Sequence, residues 1–266
     1  MESVERRDFM IKPYFETENG KLFHGCCLEI MKDIPDKSID MILCDLPYGV
    51  TNCKWDNIIA LDNIWLEYKR LLKLNRMVVL TAGQPFASFL ICSNLKWFKY
   101  DLIWEKSHAT GFLNANVCPL RSHETILIFS NGKMIYNPQL SKKSIDKIRP
   151  PSNSGKSDCY NSFFATADRT IPDNMAYPKS IIKINSPNHG EKGLHPTQKP
   201  IALFRYLILT YTNKGDTVLD NCIGSGTTAV AAETAGRKWI GIEKDENYCQ
   251  KAAKRIRTET RQLTIT

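Results

Sequence analysis

The 266-residue sequence has no apolar run of the roughly 18 residues that span a bilayer. Its first residues mix both charges and lack the apolar stretch of a secretory signal, so we expect a cytoplasmic protein without a membrane anchor. The nine cysteines form no C-x-x-C pair, and the five histidines show no ligand spacing to them. We therefore predict no metal site and no disulfide framework, but reduced thiols.

Positive charge is in excess and is unevenly distributed. Lys and Arg number 36 against 28 Asp and Glu, giving a net charge of +8. Residues 133–194 hold 10 Lys and Arg against 5 Asp and Glu, so this stretch alone carries +5. Such an excess suits a polyanionic partner. The stretch is also rich in Ser, Pro and Asn and breaks the regular pattern around it. We predict a single domain over residues 1–266 that carries a basic insertion at 133–194.

Outside that insertion, short β-branched runs alternate with amphipathic stretches of helix length. This alternation is typical of an α/β fold with a mostly parallel, twisted sheet and helices on both faces. The predicted strands are 39–44, 77–81, 100–105, 124–129, 217–220 and 238–242. The predicted helices are 61–74, 84–94, 201–212, 227–235 and 246–257.

A glycine-containing turn follows the strand that ends at Asp220. Gly224 and Gly226 let the backbone approach a ligand closely, and the helix after them offers free N–H groups. Glu243 ends the next strand, 17 residues after Gly226, where a carboxylate can accept from both ribose hydroxyls. An ordinary tight turn is the alternative for the glycines alone. Together these features predict a Rossmann-like site for an adenosine-containing cofactor.

The charge of Asp220 discriminates between cofactors. Ala229 occupies the third glycine position of the dinucleotide motif, which by itself leaves NAD open. A carboxylate at the end of the first strand would repel a pyrophosphate and attract a cationic group. S-adenosylmethionine carries an α-ammonium and a sulfonium, so we favour this cofactor and methyl transfer over hydride transfer.

A second group of residues follows the strand 39–44. Asp45 supplies an anionic acceptor, Pro47 restricts Leu46 and fixes its carbonyl, and Tyr48 supplies an aromatic face. Two acceptors and a ring suit a planar base with an exocyclic amine, and strand carboxyl ends are where ligands bind in such sheets. A proline turn with Tyr48 as packing is the alternative.

Several blocks resemble one family, the amino-group DNA methyltransferases, which modify adenine N6 or cytosine N4. Asp45-Leu46-Pro47-Tyr48 is similar to their D-P-P-Y motif, and residues 220–228 to their D-P-F-x-G-S-G-T-T motif. Residues 195–200 match H-P-T-Q-K-P, and residues 104–106 and 121–124 are similar to further family blocks. The catalytic motif precedes the cofactor motif, which is the permuted order of the beta class. The similarity extends from about Leu22 to Arg257.

The resemblance implies methyl transfer from S-adenosylmethionine to N6 of an adenine that is flipped out of DNA. Leu46 replaces a proline but retains the carbonyl that the family uses. Asn221-Cys222-Ile223 stand where Pro and Phe are common in the cofactor motif, and Ile223 would cover the adenine of the cofactor without aromatic stacking. The implied catalytic residues are Asp45, Leu46, Pro47 and Tyr48. The implied cofactor residues are Asp220, Cys222, Ile223, Gly224, Gly226, Thr227, Thr228, Glu243, Thr197 and Lys199.

The partners are predicted less specifically. The insertion lies where the family places its target-recognition region, and basic side chains there would neutralise phosphates of double-stranded DNA. The candidate DNA-binding residues are Lys106, Lys142, Lys143, Lys147, Arg149 and Lys156. A homodimer and a cognate restriction endonuclease are further candidate partners. The alternatives are cytosine-N4 methylation, RNA adenine methylation, and a non-catalytic scaffold that binds nucleic acid.

Overall fold

The computed structural model describes residues 11–49, 58–143, 172, 174–186 and 198–263, with the side chains of 261–263 left out. The chain divides into two compact units. The first comprises Met1–Asn137 and Ser180–Thr266, and the second comprises Pro138–Lys179. The second unit therefore lies inside the predicted insertion and is shorter than it at both ends.

Short strands and helices alternate along most of the chain. The strands are β1 Phe15–Glu16, β2 Gly20–His24, β3 Ile39–Cys44, β4 Leu72–Ala82, β5 Phe98–Thr110, β6 Arg121–Ser130, β7 Ser141–Lys142, β8 Met175–Ala176, β9 Ile181–Lys183, β10 Thr217–Asp220 and β11 Lys238–Glu243. The helices are α1 Cys27–Asp33, α2 Leu61–Leu71, α3 Phe86–Ser93, α4 Ile201–Tyr211, α5 Thr227–Thr234 and α6 Glu246–Leu263, and a 3₁₀ turn covers Phe112–Asn114.

The first unit is built on a mixed sheet with the strand order β1-β2-β11-β10-β3-β4-β6-β5-β9. The strands from β2 through β11, β10 and β3 to β4 are parallel neighbours. β6 runs antiparallel to both β4 and β5, and β9 is parallel to β5. In the second unit, β7 pairs with β8 in a separate antiparallel ladder. The predicted α/β fold is confirmed.

Helices cover both faces of this sheet, and the strand sequences show why. Every residue of β3 is buried, which explains its uninterrupted apolar run. Met41 and Leu43 pack in a cluster with residues of α4, α5 and α6. Ile42 and Cys44 point to the opposite face and pack with residues of α1, α2 and α3.

The structure differs from the predicted elements where tertiary pairing decides the conformation. The helix predicted over 61–74 ends at Leu71, because Leu72 already pairs with Ile39 as β4 begins. The elements β2 and α1 were not predicted; α1 is only 7 residues long, too short for its apolar spacing to mark a helix in the sequence. β9 lies in the predicted insertion but adds a strand beside β5.

The predictions of no membrane-spanning segment and no metal site can be compared only with the residues that the structure describes. Within these ranges, no helix is long and apolar enough to cross a membrane. In the same part of the chain, no group of three or more His, Cys, Asp or Glu side chains is arranged to hold a metal ion.

Candidate active site

A cavity of about 610 Å³ opens at the carboxyl ends of the parallel strands β3, β10 and β11. This volume lies in the range of small-molecule and cofactor sites. Both residue groups singled out in the sequence line it. Its lining includes Asp45, Leu46, Pro47, Tyr48, Glu124, Lys199, Asp220, Cys222, Ile223, Gly224, Thr227, Thr228 and Glu243. One cavity therefore joins the predicted catalytic and cofactor-binding ends.

Three donors hold the Asp45 carboxylate. Its Oδ1 accepts from the hydroxyls of Tyr48 and of Thr81 at the end of β4, each at 2.5 Å. Its Oδ2 accepts from the Lys199 ammonium at 2.7 Å. A carboxylate with two oxygens has about four lone-pair sites, so Oδ2 keeps acceptor capacity for a further N–H donor. The arrangement fixes the orientation of Asp45 before any substrate arrives.

Lys199 also bridges to a carboxylate that the sequence reasoning did not assign. Its ammonium lies 3.1 Å from Glu124 Oε2 on β6, and Lys106 lies 3.2 Å from the other oxygen. Burial opposes the charged form of Lys199, but Asp45, Tyr48 and Glu124 outweigh it and leave its pKa well above the ordinary value. Lys199 is therefore a buried cation between two carboxylates. Glu124 lies in the family-like block 121–124, and this was the sequence signal that could have identified it.

Tyr48 is held as a neutral ring at the catalytic end. Burial, reinforced by the Asp45 carboxylate, raises the pKa of its hydroxyl well above the ordinary value. The ring packs against Phe86 with centroids 5.4 Å apart, and the Lys199 ammonium lies 5.8 Å from its centroid. Leu46 is buried in the core beside α1, α2 and α3, which explains how leucine is tolerated in place of the proline of the motif.

The glycines of the cofactor turn adopt backbone conformations that side chains rarely take. Gly224 has φ +54° and Gly226 has φ +83°, and a Cβ at Gly226 would lie 3.2 Å from the Ala252 side chain on α6. The Gly224 N–H donates to Glu243 Oε2 at 2.8 Å, and the Asp245 N–H donates to Oε1 at 2.9 Å. These bonds hold Glu243 at the cavity wall, with lone pairs left for ribose hydroxyls.

Asp220 is buried at the end of β10. It accepts from the Cys222 N–H at 3.1 Å and from the Thr228 hydroxyl. Burial raises the pKa of Asp220 to about 7, even though these hydrogen bonds act in the opposite direction. A cationic group placed beside Asp220 would favour its ionised form. The site thus has the chemistry expected for an ammonium group.

Two residues that support the turn were missed in the sequence. Arg255 on α6 is buried and donates to the Ser225 carbonyl at 3.3 Å and to the Thr227 hydroxyl at 3.0 Å. The Tyr68 hydroxyl on α2 donates to Asn221 Oδ1 at 2.6 Å, so Asn221 gains a buried partner where the family motif has proline. Neither residue belongs to a motif, and no sequence signal pointed to them.

The remaining predicted residues are placed as follows. Lys106 is largely buried against Glu124, a position suited to supporting the carboxylates rather than to meeting phosphates. Lys142 lies on β7 of the second unit and Lys143 follows it, with its N–H bonded to Asn174. Four predictions lie outside the described residues: Lys147, Arg149, Lys156 and Thr197.

The cavity fits S-adenosylmethionine. A glycine turn stands at a helix N-terminus, a carboxylate ends β11 for a ribose, and a buried Asp ends β10 for an ammonium group. A second set of acceptors, Asp45 and the Leu46 backbone, lines the same cavity. The fold and site define a Rossmann-like methyltransferase dependent on S-adenosylmethionine.

The chain belongs to the N6_N4_Mtase family of DNA methylases, whose model matches residues 39–254. It is 30% identical to type II methyltransferase M.HinfI of Haemophilus influenzae, over 93% of this chain and 71% of that protein. It is 28% identical to DNA adenine methyltransferase YhdJ of Escherichia coli strain K12, over 91% of this chain and 84% of that protein. The M1.HpyAVI–SAM complex aligns with a TM-score of 0.63 and 27% identity over 89% and 98% of the two chains. The resemblance to the beta class is confirmed.

Proposed function

We propose that this chain transfers a methyl group from S-adenosylmethionine to N6 of an adenine flipped out of double-stranded DNA. The observation that carries the proposal is the Asp45 carboxylate, which lines the cofactor cavity and is fixed by Thr81, Tyr48 and Lys199. A fixed anionic acceptor suits an amine that donates two N–H bonds. Orientation of this kind contributes several kcal/mol to a reaction between two bound groups.

Adenine is favoured over cytosine by the first motif residue and by the relatives. Cytosine-N4 enzymes of the family more often begin the motif with Ser, whereas this chain has Asp45. YhdJ, which is 28% identical, is named a DNA adenine methyltransferase. PvuII DNA methyltransferase, named as cytosine-N4-specific, is 18% identical and supports the fold alone.

In the proposed mechanism, Asp45 and the Leu46 carbonyl each accept one N–H of the target amine. The nitrogen lone pair is otherwise delocalised into the ring, and these two bonds favour a pyramidal nitrogen whose lone pair is directed at the methyl group. When bound, S-adenosylmethionine would supply that electrophilic methyl group, with its S–CH3 bond breaking as the C–N bond forms and its sulfur leaving as a neutral thioether. The N–H bond of the product nitrogen is acidic, and Asp45 Oδ2 is placed to receive its proton. Tyr48 stacks on the flipped base.

The residues that hold the cofactor are assigned by their chemistry. Asp220 binds the ammonium group, Glu243 binds the ribose hydroxyls, and Ile223 covers the adenine of the cofactor. The backbone from Gly224 to Thr228, with Cys222 beside it, forms the cradle. Thr197 and Lys199 are retained as predicted contacts at the methionine end, with the Lys199 ammonium also bonded to Asp45.

Several partners belong to the proposal as well. Residues 133–194 recognise the target sequence. The side chains of this region that bind DNA phosphates are Lys142, Lys143, Lys147, Arg149 and Lys156. We also propose a cytoplasmic enzyme that acts with a cognate restriction endonuclease and forms a homodimer. Relatives named as type II methyltransferases support the link to restriction and modification.

Nucleoside analysis tests the proposed reaction. Purified protein is incubated with S-adenosylmethionine and DNA from a methylation-deficient host, and the digested nucleosides are measured by mass spectrometry. We expect N6-methyldeoxyadenosine from the wild type and none from Asp45→Ala, which keeps the cofactor cradle. N4-methyldeoxycytidine would contradict the adenine assignment. Methylation of RNA but not of DNA would contradict the substrate, and cofactor binding without methyl transfer would favour a scaffold.

A further inference from the structure

We propose that residues 106–123, a ribbon formed by the end of β5, the start of β6 and the turn that joins them, act as an apolar wedge that enters the DNA base stack beside the target adenine. The inference rests on the proposed function, because it assigns the surface that opens the duplex for that reaction. The occupant is double-stranded DNA, and the contacting side chains are those at the tip of the ribbon, Phe112, Leu113 and Val117.

The ribbon extends from the edge of the cavity. β6 pairs with β4 only from Thr125 to Ser130, and β5 pairs with β9 only from Ile103 to Glu105. From Lys106 to His123, β5 and β6 extend beyond the other strands and pair with each other, as Thr110 does with Arg121. At a strand rise of about 3.3 Å per residue, the tip reaches at most roughly 20 Å from the sheet. Glu124, at its base, lines the cavity that holds Asp45.

The tip exposes large apolar side chains on a hydrogen-bonded turn. Phe112 is 70% exposed, Leu113 102% and Val117 86%. Gly111 has φ +94°, and Asn114 donates from its N–H to the Gly111 carbonyl at 2.9 Å. Val117 in turn donates to the Asn114 carbonyl at 2.9 Å. The turn is therefore ordered by its own backbone, while its apolar side chains remain in solvent, where they are unfavourable unless a partner covers them.

The charge of the ribbon identifies the partner. Residues 106–123 contain no Asp or Glu, and their exposed basic side chains are Arg121, His108 and His123, whereas Lys106 at the base is paired with Glu124. Such a surface is attracted to DNA phosphates. The ribbon has no carboxylate that could pair with Arg121 of a second copy, which disfavours a second copy of this chain packed ribbon to ribbon. An apolar tip on a basic arm matches proteins that insert side chains between base steps.

A wedge next to the cavity would assist base flipping. Extruding a base costs a few kcal/mol in lost stacking and pairing. Phe112 and Leu113 in the vacated space would restore part of the stacking and slow the return of the base. The wedge would therefore matter for a paired target and much less for one that is already unpaired.

The test compares two duplexes that carry the recognition sequence, which sequencing of methylated host DNA supplies. In one the target adenine pairs with thymine, and in the other it faces an abasic site. The variant is Phe112→Ser/Leu113→Ser. The matched control is Leu74→Ser, since Leu74 is 72% exposed at the start of β4, the end of that strand that lies away from the ribbon. Sedimentation of each protein measures its oligomeric state.

We expect the double variant to lose about tenfold or more in kcat/KM on the paired duplex and less than about threefold on the abasic one. Leu74→Ser should match the wild type on both. An equal loss on both duplexes, no loss on either, or a loss that accompanies dissociation of a dimer would overturn the wedge. Methylation of the abasic duplex in those cases would leave the proposed function intact. A wild type that is inactive on both duplexes would overturn the wedge and the proposed function together.

Discussion

Replacing Lys199 with methionine should destabilise the protein strongly, because it leaves the Asp45 carboxylate without a cation and facing Glu124, which keeps only Lys106. The ammonium lies 2.7 Å from Asp45 and 3.1 Å from Glu124, whose side chains are only 25% and 21% exposed. Removing one partner of a buried ion pair costs about 3–5 kcal/mol. Partial exposure of the carboxylates reduces that value, so we expect the free energy of unfolding to fall by about 3 kcal/mol.

Urea denaturation at about pH 8 measures the effect as a lower transition midpoint. The pKa of Lys199 is raised above its ordinary value of 10.5. Its contribution to stability is therefore full below that pH and is lost only as the pH rises through the folded-state pKa. At about pH 8, Lys199 is therefore fully charged in the folded protein and the ion pair makes its full contribution to stability.

An exposed ion pair provides the matched control for Lys199→Met. Lys183 lies 3.0 Å from Glu105, and both side chains are exposed, so Lys183→Met should cost less than about 1 kcal/mol. Adding Asp45→Asn to Lys199→Met removes the carboxylate left without a cation and should recover part of the loss. The ion-pair explanation is refuted if Lys199→Met is no more destabilising than Lys183→Met, or if Asp45→Asn recovers nothing.

Three further perturbations test the cofactor end. Burial raises the pKa of Asp220 from 3.8 to about 7. The stability that protonated Asp220 contributes is therefore full below pH 3.8 and is lost as the pH rises through about 7. Asp220→Asn should flatten this dependence of the free energy of unfolding on pH, measured by urea denaturation. Gly226→Ala should cost about 2 kcal/mol and weaken cofactor binding in calorimetry, whereas Gly111→Ala, with open space around it, should cost about 1 kcal/mol. Tyr68→Phe should cost about 1–2 kcal/mol in thermal unfolding, because it removes the buried donor to Asn221.

The catalytic and cofactor motifs were predictable because each depends on local backbone chemistry. A buried strand that ends in Asp45, and a glycine turn between β10 and α5, carry their signal in a few consecutive residues. The parallel sheet followed from the same alternation of strands and helices. Contact between the two motifs also followed, because the carboxyl ends of parallel strands meet at one edge.

The contacts by which Glu124 and Arg255 support the site were not predictable, because they arise from long-range packing. Glu124 and Lys199 are far apart in sequence, and only the pairing of β6 with β4 brings Glu124 to the cavity. Arg255 reaches the glycine turn because α6 packs against α5. The length of the β5–β6 ribbon was missed for another reason, since its exposed residues lack the alternation that marks a half-buried strand.

The decisive measurement for adenine methylation is single-molecule sequencing of DNA from a methylation-deficient host that expresses this chain. We expect methylated adenines at one recurring sequence with the wild type, and an unmodified genome with Asp45→Ala at equal protein level. Modified cytosines in place of adenines would contradict the assignment of the base. Undiminished adenine methylation by Asp45→Ala would contradict the catalytic role of Asp45.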